Sequence, residues 1–226
     1  MSRVQVIDAG IGGIISRSFI LKGDQAVIVD TGSKGKAGRV LDALDRNAIS
    51  RDQVSLILIT HGHSDHFGSA RELQKMLKVP VAAGMPDALY MEKGKNSPAI
   101  PYNLRGRILS GFGLEKHPEP VKAEVLISED TSLSSYGVDA TILTTPGHTK
   151  GSLAVITSDG DCLTSDLLMS FVLKSVPGIT VYAEDPGSVG PSLRKILDHG
   201  AKRIYPTHGH DWDDARLRKK FSRLIG

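Results

Sequence analysis

Residues 56–67 run Leu56-Ile57-Leu58-Ile59-Thr60-His61-Gly62-His63-Ser64-Asp65-His66-Phe67. The four apolar residues at the start are the short run expected of a strand buried on both faces. Phe67 opens an amphipathic stretch, residues 67–78, that sets Ala70, Leu73 and Leu77 on one stripe at helical period. Between strand and helix stand four side chains able to ligate a metal. His61 and His63 are two apart, so in an extended segment they leave the same face. Asp65 and His66 fall where the chain turns into the helix. A polar loop with a helix-capping aspartate would account for Asp65 but not for three histidines. Imidazole and carboxylate at this density are a donor set for Zn²⁺, iron and similar ions.

Working outward, apolar runs alternate with amphipathic ones. Residues 4–7, 14–21 and 26–29 read as strands, with a hairpin signal at Lys22-Gly23-Asp24. Residues 36–47 read as a helix with Val40, Leu41 and Leu44 on one face, and residues 79–83 as a strand after the second helix. This βαβ pattern predicts a partly parallel sheet. Residues 84–120 are broken by prolines and glycines and read as a lid or insertion with a short helix at 87–93. Strands are expected at 124–127, 132–136, 140–144, 153–157, 162–164 and 203–205, and a helix at 193–197 ending at His199-Gly200. Both halves run strands then helix, which predicts two similar sheets packed together with helices outside, in one domain over 1–226.

The 226 residues are 40% hydrophobic and 23% charged, the balance of an ordered globular protein. A net charge of +3 is too small for a nucleic-acid partner. Its local source is a terminal segment with Asp211, Asp213 and Asp214 at its start and Arg216, Arg218, Lys219, Lys220 and Arg223 behind them, the polarity of a solvated helix. The single cysteine, Cys162, allows no intrachain disulfide. No secretory signal is visible and no apolar run approaches the roughly 18 residues of a membrane helix. A soluble, cytoplasmic protein without a membrane partner is the expectation.

Three further polar residues sit at strand ends. His148 lies in Thr145-Pro146-Gly147-His148-Thr149, Asp166 follows the 162–164 strand, and His208 lies in Pro206-Thr207-His208-Gly209. With the first cluster they make seven candidate ligands, enough for two metals. His61-x-His63-x-Asp65-His66, then Thr145-Pro146-Gly147-His148-Thr149-x-Gly151-Ser152, then Asp166 and His208, resembles the metallo-β-lactamase-fold hydrolases over nearly the whole chain. Asp30 in Val29-Asp30-Thr31-Gly32 is similar to an early aspartate of that superfamily. The resemblance implies an α/β fold, a four-layer αββα sandwich with the site at one edge of the sheets. It implies one metal on His61, His63 and His148, a second on Asp65, His66 and His208, and Asp166 bridging. Asp30 is then either a turn residue or a support behind a ligand. His210 either faces the site or lies in solvent; His117 reads as surface, His199 as a helix end, and Cys162 as core. Tyr102, Phe112, Phe171 and Tyr182 line a pocket or simply pack.

A metal pair implies hydroxide generated at neutral pH and a metal-stabilised oxyanion, with Asp65 orienting the nucleophile and shuttling its proton. The expected activity is hydrolysis of small esters, thioesters or lactones on two divalent ions, zinc first, with iron or manganese also suited. Cysteine-ligated lactamases would need Cys where Asp166 stands. The glyoxalase-II-type thioesterases and lactonases are more similar, although no helical glutathione-binding domain is expected after His208, and Met169 stands where homoserine lactonases commonly carry Tyr. The alternatives are a phosphodiester or phosphotriester hydrolase, a β-lactamase-like amide hydrolase, and a non-catalytic metal-binding protein. Residues 84–120 and 167–190 are expected to select the small-molecule substrate.

Overall fold

The computed structural model describes residues 2–10, 16–109, 117–169 and 177–226. One sheet is built from Gln5–Asp8 (β1), Phe19–Lys22 (β2), Ala26–Val29 (β3), Val54–Ile59 (β4), Val81–Gly84 (β5) and Val125–Ile127 (β6), in that order. The other contains Thr131–Ser132 (β7), Ala140–Thr144 (β8), Leu153–Thr157 (β9), Asp161–Met169 (β10), Arg203–His208 (β11) and Trp212–Asp213 (β12), again as sequential neighbours. Pairing is antiparallel from β1 to β3 and parallel from β3 to β6. In the second sheet only β10 and β11 run parallel, among the described residues.

Alternation along the strands assigns each side chain to a layer. Phe19, Leu21, Val27, Val29, Leu56 and Leu58 point inward and meet Ala140, Ile142, Leu153, Val155 and Leu163 of the other sheet. The intervening Ile20, Ile28, Ile57 and Ile59 face Ala37–Arg46 (α1), Ala70–Leu77 (α3) and Met85–Glu92 (α4). Leu143, Ala154, Ile156 and Cys162 face Val189–Asp198 (α6) and Asp214–Lys220 (α7). Three apolar layers thus separate four structural ones, the expected αββα sandwich. Ser64–Phe67 (α2), Leu104–Leu109 (α5) and Ser222–Ile225 (α8) complete the helices. No helix among the described residues is long and apolar enough to cross a membrane.

Several local expectations shift. The helix expected over 67–78 is two, α2 and α3, separated at Gly68-Ser69. A Cβ on Gly68 would collide with the Ser64 carbonyl and stand 2.8 Å from the Ser33 carbonyl carbon, so the break lets the His-bearing loop press on the loop after β3. The strand expected over 132–136 is only β7; residues Ser134–Tyr136 form a 3₁₀ turn closed by Gly137 at φ 72°. The strand expected over 162–164 extends to Met169, because its far end pairs with β11 at Met169↔His208. The strand expected over 14–21 begins at Phe19 among the described residues; Ile14 and Ile15 lie outside them. The terminal helix behaves as its charges predict, with the Asp213 carboxylate accepting from the Arg216 N–H at 2.8 Å.

Gly68→Ala should lower stability by about 1–3 kcal/mol, the usual range for overpacking. A urea melt would show it as a lower midpoint at unchanged slope. An unchanged midpoint would contradict the packing described for this glycine.

Candidate metal centre

The site lies where the carboxyl ends of β3, β4, β8 and β11 meet the middle of β10. β4 delivers Thr60, His61 and His63; the loop after β8 delivers His148; β11 ends on His208. Two hydrogen bonds fix this edge: Leu153 N–H donates to the Thr60 carbonyl at 2.8 Å, joining the sheets, and Thr31 N–H to the His66 carbonyl at 2.7 Å. In β10 the register slips between Leu163 and Ser165, and Ser165 adopts φ 52°. Such a bulge re-aims the next side chain, and here Asp166 enters the cluster.

All seven predicted ligands converge. His61, His63 and His148 form one set whose ligating atoms lie within 4.8 Å of one another; Asp65, His66 and His208 form another; His61, His66 and Asp166 link them. In the first set, His61 Nε2 is 3.0 Å from His63 Nδ1, and His148 Nε2 is 3.2 and 3.1 Å from those two atoms. The outward nitrogens decide which atoms carry protons. His63 Nε2 faces the Ser97 carbonyl at 3.1 Å, and His148 Nδ1 the Tyr182 carbonyl at 3.0 Å. A carbonyl can only accept, so each outward nitrogen donates and each inward one is bare.

His61 is fixed through a relay. Thr60 Oγ1 donates to Asp30 Oδ2 at 2.8 Å, so it accepts from Ser165 Oγ at 2.8 Å. Ser165 Oγ therefore accepts from His61 Nδ1 at 3.0 Å. Asp30 Oδ2 also accepts from His66 Nδ1 at 2.8 Å. One carboxylate thus sets a histidine in each cluster. Asp30 is both things the sequence allowed, a turn residue at φ 60° and the support behind His66.

Donor chemistry fits a cation. Three bare nitrogens at these separations repel one another, and distances near 3.3 Å are what a tetrahedral ion with about 2.0–2.1 Å bonds would span. His66 Nε2 and Asp166 Oδ1 are fully buried with no hydrogen bond, although only 3.3 Å apart. Buried polar atoms are rarely left so, and both point into the cluster.

Electrostatics separates the two sets. Burial, with His148 adding, pushes His63 down to about 3, and burial likewise lowers His61 and His148. Burial opposes charge on His66 and His208 as well, yet Asp166 and Asp65 outweigh it and raise both. In turn, burial would raise Asp65, but His66 and His208 hold it down to about 2, and Asp166 falls well below the carboxylate range. Asp65 is the most open ligand, its side chain 19% exposed against 5% for Asp166.

Other residues fall outside the cluster. His210 is exposed and is not among the seven converging side chains. His199 caps α6, its Nδ1 2.8 Å from the Lys195 carbonyl. Cys162 is buried, and burial pushes its thiol up, the state of a core residue. Tyr102 packs against the outer core of the second sheet, and Phe112 and Phe171 lie outside the described residues. Sequence reasoning missed Thr60, Ser97, Ser165, the Tyr182 carbonyl and Thr180, whose Oγ1 is 2.9 Å from His148 Nδ1, since nothing in a hydroxyl or a backbone oxygen marks it as a histidine's partner.

A sequence model of the metallo-beta-lactamase superfamily matches residues 10–208. A protein of Methanocaldococcus jannaschii, named a probable metallo-hydrolase, is 26% identical over 216 residues, covering 94% of this chain and 96% of that one. Among solved structures, the B3 metallo-beta-lactamase BLEG-1 aligns at TM-score 0.71 and 20% identity over 99% of this chain and 100% of that one. Another, solved in a di-iron-bound form, aligns at TM-score 0.65 and 23% identity over 93% and 96%. At such identities the solved structures establish a shared fold.

The charge states predict different pH behaviour for the two sets. Variant His208→Ala isolates the three-histidine set, and His148→Ala isolates the other. The first set is neutral above 6.5, so its zinc affinity should be flat from there upward. The second holds protons on His66 and His208 that zinc must displace, so its affinity should rise with pH, by up to about a hundredfold per unit while both are protonated. Chelator competition between pH 6.5 and 8.5 measures both; identical slopes would contradict the assignment.

Proposed function

The chain belongs to the metallo-beta-lactamase superfamily and is a metallo-hydrolase, and from that premise we propose that it works with two divalent ions on small carboxylic esters, thioesters or lactones. The observation that carries the two-ion reading is the placement of Asp166. Its Oδ1 is 3.3 Å from His66 Nε2, and its Oδ2 is 3.4 Å from His208 Nε2, 3.7 Å from His148 Nε2 and 3.9 Å from His61 Nε2. One carboxylate addresses both sets, as a bridging ligand must. His61, His63 and His148 would hold one ion; Asp65, His66 and His208 the other.

Ions in such a site make water a nucleophile at neutral pH and neutralise charge developing on a substrate oxygen. The protein's own residues supply the rest. Asp65 is ionised across the working range, and its Oδ2 lies 3.2 Å from His208 Nε2 and 3.6 Å from His66 Nε2. Being the open ligand, it is placed to orient water, take its proton and return it to the departing oxygen or sulfur. Asp30 accepts from His66 Nδ1 and, through Thr60 and Ser165, fixes the proton of His61 Nδ1, so that both Nε2 atoms face the site.

The three-nitrogen set suits zinc, and the carboxylate-containing set suits zinc, iron or manganese. The solved relative in a di-iron-bound form supports keeping iron beside zinc. The ester class rests on the likeness of Thr145–Ser152 and Asp166 to the thioesterase and lactonase branches.

Metal-reconstituted protein should turn over p-nitrophenyl acetate, a simple acyl thioester or a γ-lactone faster than bis-p-nitrophenyl phosphate. Asp65→Ala should cut kcat by about 10²–10⁴ while the three-histidine ion stays bound. Preference for the phosphate diester, or full activity in the variant, would overturn the proposal.

A further inference from the structure

Asp87 stands in the first turn of α4, fully buried. An acidic residue there ordinarily serves the N–H groups of its own helix. This one turns away from them. Its Oδ2 accepts from the Gly62 N–H and from the Thr149 hydroxyl, both at 2.7 Å, and its Oδ1 accepts from the Gly151 N–H at 3.2 Å. Gly62 lies between His61 and His63 at the end of β4. Thr149 follows His148 in the loop between β8 and β9. The carboxylate therefore grips the two loops that supply the three-histidine set, one from each sheet.

Its grip is close. A Cβ on Gly151 would stand 2.6 Å from Asp87 Cγ and 2.7 Å from its Oδ1, and a Cβ on Gly62 would stand 3.2 Å from Asp87 Cβ. Both loops meet the carboxylate with bare backbone. Thr149 is locked on its far side as well, its hydroxyl 2.8 Å from Ser152 Oγ, which also accepts from the Thr149 N–H at 2.9 Å. By contrast, none of these partners belongs to the loops carrying Asp166 or His208, and the Gly62 loop continues to Asp65 and His66 only through α2.

We infer that Asp87 is a positioning residue for the three-histidine ion, setting the separation between the loop of His61 and His63 and the loop of His148. This rests on the two-ion reading above. Partners behind metal ligands typically change affinity by about 10–100-fold when altered. Asparagine at position 87 offers one acceptor oxygen where three donors converge, so the clamp loosens without loss of volume.

The test is zinc affinity by competition with a chromophoric chelator, in two backgrounds that separate the sites. In His208→Ala, which retains the three-histidine set, Asp87→Asn should weaken zinc by about 10–100-fold. In His148→Ala, which retains Asp65, His66 and His208, it should change by less than about threefold. Thr149→Val removes one bond of the three and should shift affinity in the same background, in the same direction, by about tenfold or less; it carries the test alone if Asp87→Asn fails to fold. Equal weakening in both backgrounds, or none in either, overturns the positioning role. Absence of zinc binding in both parent backgrounds would instead defeat the two-ion reading, and the inference with it.

Discussion

Three imidazole nitrogens with bare lone pairs face one another at 3.0 to 3.2 Å, and much of the surrounding structure holds them there. Left alone, such rings would rotate or take up protons to relieve the repulsion. Rotation is blocked from behind, by the Ser97 and Tyr182 carbonyls and by the relay from His61 through Ser165 and Thr60 to Asp30. Protonation is blocked by burial. A cation would satisfy the arrangement, so the geometry is suited to hold one before any ion arrives.

The shape of the scaffold follows from this demand. Candidate ligands come from both sheets, so the packed sheets must keep a fixed distance at this edge, and the Leu153-to-Thr60 hydrogen bond joins them beside the first histidine. Of the four non-glycine residues in left-handed backbone among the described residues, two lie at the site, Asp30 at φ 60° and Ser165 at φ 52°. Such conformations cost about 1–3 kcal/mol and persist where the surroundings over-determine them. Here each flanks the relay that sets His61, and Ser165 directly precedes Asp166.

How much of this was legible in the sequence follows from what a residue letter can carry. The candidate ligand set was legible because four metal-ligating side chains crowd into residues 61–66, and the order His61, His63, Asp65, His66, His148, Asp166, His208 resembles one superfamily. The layers were legible from strand alternation, as at Ile57 and Leu58, which face opposite cores. Hidden were the partners that are backbone atoms, such as the Ser97 and Tyr182 carbonyls, because every residue has one. Asp87 was hidden differently: in sequence it begins a helix in a proline-rich stretch, and only the tertiary fold brings it to Gly62 and Gly151. The split between α2 and α3 was missed because the apolar stripe runs through Gly68 unbroken, and the contact that ends the helix lies far back in the chain at Ser33.

The most direct test of the account is an anomalous difference map from crystals grown with zinc. It should show two peaks, one within bonding distance, about 2.0–2.1 Å, of His61 Nε2, His63 Nδ1 and His148 Nε2, and one among Asp65, His66 Nε2 and His208 Nε2, with Asp166 reaching both. A single peak, or peaks away from these nitrogens, would contradict the claim that the histidine tautomers and the shared carboxylate build a two-ion site.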